Sequence, residues 1–259
     1  MTLDVLWHDL ECGAYDEDLP LWRELAGEAG WPVLDVGAGT GRISLDLATH
    51  GIAVVALDAG AALLEALERR AAGLPVETVV ADARDFDLGR RFPLVLVPMQ
   101  TLQLLGGRSG RAEFLRRALD HLQPGGLLAV AVADAMDCFD EEHDMPPPPD
   151  ACEVADMRYA SQLISVVEED GRAAILRRRE VIGPGDAYES VEAVVRLDRV
   201  TAREVAGEAA GLGFLTEPDR FVPETEEYIG STVVVLRAPM VARRSQPRAV
   251  ERASCRASP

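Results

Sequence analysis

The chain has 259 residues, 48% of them apolar, enough to bury a sizeable core as one large α/β domain or as one domain carrying an insertion. Its 44 acidic residues outnumber the 26 basic ones, for a net charge of -18, which repels phosphate backbones and argues against non-specific nucleic-acid binding. No apolar run approaches the roughly 18 residues of a membrane span, so a soluble, cytoplasmic protein with a small-molecule partner is expected.

The first twenty residues, MTLDVLWHDLECGAYDEDLP, carry acids where a signal peptide has a basic region. A helix is predicted around LPLWRELAGEAG. Beyond it the apolar runs WPVLDVG, IAVVALD, VETVVAD, FPLVLVP and GLLAVAVAD alternate with the helical stretches RISLDLATH, AALLEALERRAA and RAEFLRRALDHL. Such runs read as strands buried on both faces of a parallel sheet. The alternation stops at DCFDEEHDMPPPPDACEVAD, whose acids and consecutive prolines exclude regular helix and predict an extended, exposed connector.

Three alternating segments follow, RYASQLISVVEED, RAAILRRREVIG and YESVEAVVRLDRV, with turn residues Asp170 and Gly171, then Gly183, Pro184 and Gly185, between them. They predict a three-stranded antiparallel meander. Thr201, with Glu204 three residues on, predicts a capping box on the next helix, and the sheet resumes with GFLTEPDRF and STVVVLRAP. From Pro239 onward the chain holds five arginines and one glutamate without apolar periodicity and is expected to be disordered. The expected division is an N-terminal helix and core over 1–136, a connector and β insertion over 137–200, the rest of the core sheet over 201–238, and a basic tail over 239–259. Cys12, Cys138, Cys152 and Cys255 form no CxxC pair and read as reduced thiols, with no metal site.

One stretch carries chemistry. In VLDVGAGTGRISLDLATHG, Asp35 ends an apolar strand and Gly37, Gly39 and Gly41 occupy the turn into a helix. Glycines there permit positive φ and let a small polar or anionic ligand lie against bare backbone. A dinucleotide fingerprint needs a third glycine where Arg42 stands, which counts against a nicotinamide-dependent oxidoreductase.

VLDVGAGTGR followed in order by VVALDAG, VVADARDF, PLVLVPMQTLQLL and LQPGGLLAV resembles the class I S-adenosylmethionine (SAM) dependent methyltransferases, over about residues 14 to 135. The inserted strands are similar to those of the small-molecule branch, which includes glycine and amino-sugar N-methyltransferases. The resemblance implies a Rossmann-like α/β fold with strand order 3-2-1-4-5-7-6, its last strand antiparallel, and helices on both faces. It also implies SAM as cofactor, S-adenosylhomocysteine as product, and a small-molecule methyl acceptor, with no nucleic acid and no membrane; a homodimer stays open. The alternative is a SAM-binding protein of this fold that senses or catalyses without methylating.

Carried over by resemblance, Gly37, Ala38 and Gly39 line the methionine moiety and Asp35 anchors its ammonium group. Asp58, whose carboxylate offers two acceptors, takes both ribose hydroxyls; Ala59 and Leu63 pack near the adenine. Asp82 accepts from the adenine amino group, with the backbone of Ala83 beside it. Met99 and Gln100 lie by the methionine end, where Gln103 either orients a ligand or starts a helix. Tyr15 is expected to close over the cofactor as a lid residue, and Trp22 to be core. Methyl transfer from a sulfonium needs alignment more than a base; His143, Asp134, Asp137 and Tyr159 are the residues that a base would be drawn from. The segment from Asp137 to Asp156 is expected to be either a lid that orders over the ligands or a loose connector.

Overall fold

The computed structural model describes residues 2–133, 137–140, 147–185, 187–225 and 228–240. The expected disordered tail, and with it Cys255, lies largely outside the described residues, as do Asp134 and His143. Two helices come first. Helix α1 (Leu3–Cys12) is capped by Thr2, whose side chain accepts from the Val5 amide, and α2 (Leu19–Ala29) carries proline in its first turn, where no amide partner is lost. The alternating core is β1 (Val33–Val36), α3 (Arg42–Thr49), β2 (Val54–Asp58), α4 (Ala61–Arg70), β3 (Val76–Val80), β4 (Phe92–Val97), a 3-10 turn (Thr101–Leu104), α5 (Gly107–His121) and β5 (Leu122–Val132). Then come β6 (Phe139–Asp140), β7 (Asp150–Val154), β8 (Met157–Glu169), β9 (Arg172–Ile182), β10 (Tyr188–Asp198), α6 (Ala202–Gly211), β11 (Leu215–Thr216), β12 (Arg220–Val222) and β13 (Ser231–Arg237).

The first sheet runs β11-β13-β5-β4-β1-β2-β3, with β12 also pairing β13. The pairings among β1 to β5 are parallel and β13 is antiparallel to β5. With β11 and β13 as its sixth and seventh strands, this is the expected order. Alternate residues of the same strands enter different cores: Leu34, Val36, Val55 and Val95 pack on one face, Val33, Val54, Leu94 and Leu96 on the other. Burial on both faces is what the unalternating apolar runs encode. Trp22 is fully buried, its indole nitrogen donating to Asp18 at 2.8 Å. The Thr201–Glu204 capping box is present on α6.

The second sheet corrects two expectations. It contains the antiparallel β8-β9-β10 meander, but β6 and β7 also pair with β8, making five strands where three were expected. Part of the supposed connector is therefore ladder. Strand β7 folds onto Met157–Ser161 through Ala155 and Asp156, both at positive φ (51° and 64°). Such a two-residue turn is ordinarily signalled by Asn-Gly or Asp-Gly; Ala-Asp carries no such signal, so the hairpin was hidden.

Candidate functional site

A cavity of about 890 Å3 opens over the carboxyl ends of β1, β2 and β4 and is walled on its far side by α1 and the second sheet. Strand ends in a parallel sheet point unpaired backbone and the following loops into such a crevice. Asp35, Gly37 and Ala38 line it from β1 and the turn, and Asp58, Ala59 and Leu63 from β2 and α4. Asp82 and Ala83 follow β3, and Met99 and Gln100 follow β4. The sequence-predicted positions thus converge, with two exceptions among the cofactor residues.

Tyr15 is one exception. It is buried in the core beside Tyr228, ring centroids 4.9 Å apart, with the Arg42 guanidinium 5.0 Å over its face. Arg42 also donates to the Tyr15 carbonyl at 2.8 Å and to Asp18 at 2.9 Å. Tyr15 therefore backs the cavity-lining Arg42 and Tyr228 rather than lining the cavity itself. Gly39 is the other: a Cβ there would sit 2.3 Å from His8 Nε2, and one on Gly37 would sit 2.5 Å from the Thr101 side chain. Both glycines have positive φ, 77° and 55° for Gly37 and Gly39. Neighbouring side chains of the protein itself press on this turn, a reason for glycine beyond access for a ligand.

Asp35 is buried. Ser44 Oγ donates to its Oδ2 at 2.6 Å, and its Oδ1 has no hydrogen-bond partner. Burial raises its pKa to about 6 against the pull of Ser44 and Arg42. An orphaned buried carboxylate oxygen is costly unless a donor reaches it, and the ammonium of an amino acid is such a donor. Asp58 holds the turn together: Oδ2 accepts from the Gly39 amide at 2.9 Å and Oδ1 from the Gly60 amide at 2.7 Å. Asp82 is half-exposed, and both its oxygens accept from Arg84, at 2.9 Å and 2.6 Å. A ligand at Asp82 has to share that fork.

Gln103 does not line the cavity. It is buried, donating to the carbonyls of Ala133 at 3.2 Å and Asp198 at 3.0 Å while accepting from the Ala133 amide at 3.0 Å. It joins the end of β5 to the end of β10. Tyr159 packs edge-on against Trp7 at 5.7 Å, and neither it nor Asp137 lines the cavity.

Helix α1 was not legible as a cavity wall. Asp4, Trp7, His8 and Glu11 recur at helical spacing and face the cavity; that spacing was the available signal. Glu11 accepts from Arg179 at 2.7 and 2.8 Å and from Ser161 at 2.7 Å, and Arg177 donates to Ser161 Oγ at 2.8 Å. Burial pushes Glu11 up, but the hydrogen bonds from Arg179 and Ser161 outweigh it and hold the carboxyl below its ordinary value. Arg179 lies 5.4 Å over the Trp7 ring. The cavity is also lined by Leu104 and Leu105, and by Leu163, Ile175, Val195 and Leu197, which lie on the same face of the second sheet as Arg177 and Arg179. Among the described residues no cluster of His, Cys, Asp or Glu has metal-binding geometry, and no helix is long and apolar enough to cross a membrane.

Residues 33–126 match the family described as methyltransferase domain. The chain is 37% identical over 111 residues to the cypemycin N-terminal methyltransferase of a Streptomyces species, a match that spans 43% of either chain. The chain thus covers less than half the length of that relative. Over nearly its whole length it is similar in structure to the sugar N-methyltransferase KedS8 of a Streptoalloteichus species, with a TM-score of 0.72 at 18% identity, covering 92% of this chain and 93% of that one. It is also similar to the SAM-bound amino pentose methyltransferase CalS10 of Micromonospora echinaspora, with a TM-score of 0.65 at 21% identity, covering 91% and 98%. The fold is that of the class I methyltransferases.

Proposed function

We propose that this chain, which carries a methyltransferase domain at residues 33–126 on the class I fold, transfers a methyl group from SAM to nitrogen or oxygen of a small natural-product or sugar-like molecule. The observation that carries this reading is the unpartnered, buried Oδ1 of Asp35 at the glycine turn, in a cavity large enough for two small molecules. When bound, SAM supplies an electrophilic methyl on a sulfonium.

The chain's residues bind, orient and exclude water. Asp35 takes the ammonium group, Asp58 offers its remaining lone pairs to the ribose, and Ala59, Leu63 and Ala83 give the adenine an apolar bed. The acids lining the cavity, Asp4, Glu11, Asp35, Asp58, Asp82 and Asp150, outnumber the arginines, Arg42, Arg84, Arg177 and Arg179, which suits a cationic cofactor. Glu11 and Arg179, with the apolar residues beside them on the second sheet, would hold the acceptor, and a nucleophile so oriented in a desolvated site gains most of its rate from alignment.

The named relatives are described as an N-terminal, a sugar N- and an amino pentose methyltransferase, which supports an amine over a hydroxyl as the acceptor here. Incubation with methyl-labelled SAM and fractionated small metabolites is expected to give a labelled low-mass product. Calorimetry is expected to show S-adenosylhomocysteine binding and no saturable NAD binding. Tight S-adenosylhomocysteine binding with no labelled product from any fraction would favour the sensing alternative.

A further inference from the structure

The second sheet turns one face to the cavity, and along β9 that face is graded. Ile175, Arg177 and Arg179 stand at alternate positions of the strand and all line the cavity. The registers set Val195 of β10 beside Ile175 and Leu163 of β8 beside Arg177, with Leu197 two residues beyond Val195, away from the arginines. One end is therefore cationic and the other aliphatic, over about 13 Å from Arg179 to Ile175. Leu104 and Val195 line the cavity and are 54% and 38% exposed, apolar surface left for a ligand to cover.

What the arginine end offers a ligand follows from its hydrogen bonds. Arg179 gives Nε and Nη2 to the two oxygens of Glu11, at 2.7 and 2.8 Å, and lies 5.4 Å over the Trp7 ring. Arg177 gives Nε to Ser161 Oγ at 2.8 Å, and Nη2 to the Ser161 carbonyl at 3.1 Å and to Asp150. Ser161 is fully buried and donates its own proton to Glu11 at 2.7 Å, so one hydroxyl ties both guanidinium groups into a unit. Glu11 stays ionised and an ionised carboxylate only accepts, so neither it nor the Ser161 hydroxyl has a donor left. Among the described residues, Nη1 of Arg177 and Nη1 of Arg179 make no hydrogen bond, and the two side chains are 21% and 24% exposed. The wall presents donors, and a group that meets it must accept.

We propose that Arg177 and Arg179 bind a carboxylate of the methyl acceptor, one oxygen to each Nη1, while its apolar part lies along Ile175, Val195 and Leu197, and that Ser161 is the positioning residue that holds the two guanidinium groups for it. Two residues apart on one face, the arginines stand about 7 Å apart at the backbone, within reach of one two-oxygen group. Glu11 and Asp150 already balance the two positive charges, so a singly charged carboxylate suits the site where a doubly charged phosphate meets stronger repulsion from both acids. The acceptor is thus an amine that also carries a carboxyl group and an apolar body. The proposal rests on the methyltransferase reading above for calling this molecule the acceptor; the carboxylate site itself rests on the arginine geometry.

The test has an arm for each. Octanoate probes the site, in free protein and in protein saturated with S-adenosylhomocysteine, with octanamide, octyl phosphate and acetate as its controls. Octanoate is expected to bind about tenfold more tightly than each control and to shift the nitrogen-15 Nε–H signals of Arg177 and Arg179. Arg177→Lys and Arg179→Lys keep a charge beside the buried acids but lose the fork, and are expected to weaken octanoate about tenfold while S-adenosylhomocysteine affinity stays within about twofold. Ser161→Ala is expected to shift both Nε–H signals before any probe is added and to weaken octanoate about fivefold. Equal binding of octanoate and octanamide, a preference for octyl phosphate, or unchanged octanoate affinity in both lysine variants overturns the carboxylate site. In the second arm, methyl esterification of the metabolite fractions is expected to abolish labelling from methyl-labelled SAM. Labelling that survives esterification overturns the assignment of the site to the acceptor. No labelled product from untreated fractions, with octanoate bound as expected, sinks the methyltransferase reading and leaves the carboxylate site standing.

Discussion

Ser44 satisfies one oxygen of Asp35 at 2.6 Å and leaves the other buried without a partner. The serine, in the first turn of α3, fixes the orientation of the carboxylate, and the orphaned oxygen marks where a donor belongs.

The first prediction follows from the titration of this group. In the free protein Asp35 has a pKa of about 6, raised by burial. A bound ammonium favours the carboxylate, so the pKa falls on binding and a proton must leave whenever the pH is below about 6. Affinity for S-adenosylhomocysteine is therefore full above pH 7 and falls below pH 6, by up to about tenfold per unit. Calorimetry between pH 5 and 8 measures it, and Asp35→Asn should both weaken binding and flatten that dependence. A flat profile in the wild type would remove Asp35 as the ammonium partner.

Asp58 does two things at once, which two substitutions separate. Asp58→Ala removes the ribose acceptor and also frees the Gly39 and Gly60 amides, and is expected to weaken S-adenosylhomocysteine binding by about 1–3 kcal/mol. Asp58→Asn keeps one carbonyl acceptor but turns an NH2 toward one of the two amides. It should cost binding nearly as much, while lowering the melting temperature as well. Affinity unchanged in both variants would exclude Asp58 from the site.

The residues that line the cavity from the first sheet were readable as a group because they sit at fixed offsets from strand ends, and strands buried on both faces announce themselves as unbroken apolar runs. Asp35 lies at the end of β1 and Asp58 closes β2, both buried strands, while Asp82 follows β3, the edge strand. The wall formed by α1 and the second sheet was not readable in this way. On α1, Asp4, Trp7, His8 and Glu11 do recur at helical spacing, but a face that mixes one tryptophan with polar residues reads equally as a solvated one. Arg177 and Arg179 lie on a strand whose alternation gave the pairing but not which face meets α1. Tyr15 was misplaced because its stacking partner, Arg42, lies 27 residues away, a contact that only the folded turn creates.

Gly37 tests how tightly the turn is packed. Its φ of 77° and the approach of a Cβ to within 2.5 Å of Thr101 mean that Gly37→Ala is strained twice, in backbone and in contact. A loss of about 2–4 kcal/mol in unfolding free energy is expected from denaturant melts. Adding Thr101→Gly should recover the contact part and leave the backbone part. Full recovery in the double variant would show that φ there is not constrained.

Gln103 is the last and most structural case. One amide group bridges the Ala133 amide and carbonyl to the Asp198 carbonyl, and Asp198 in turn accepts from Arg172 at 3.1 Å and Arg111 at 3.4 Å. The end of β5 and the end of β10 are thereby held together at the base of the second sheet. Gln103→Leu fills the same volume but leaves the Ala133 amide and two carbonyls buried without this partner, at an expected cost of about 2–4 kcal/mol. Hydrogen exchange should quicken at Ala133 and along β10 while β1 to β4 keep their protection, because the loss falls at the joint between the sheets and not in the parallel core. Uniform quickening throughout the chain would mean that the two sheets unfold as one unit, and the joint would then be part of a single cooperative core.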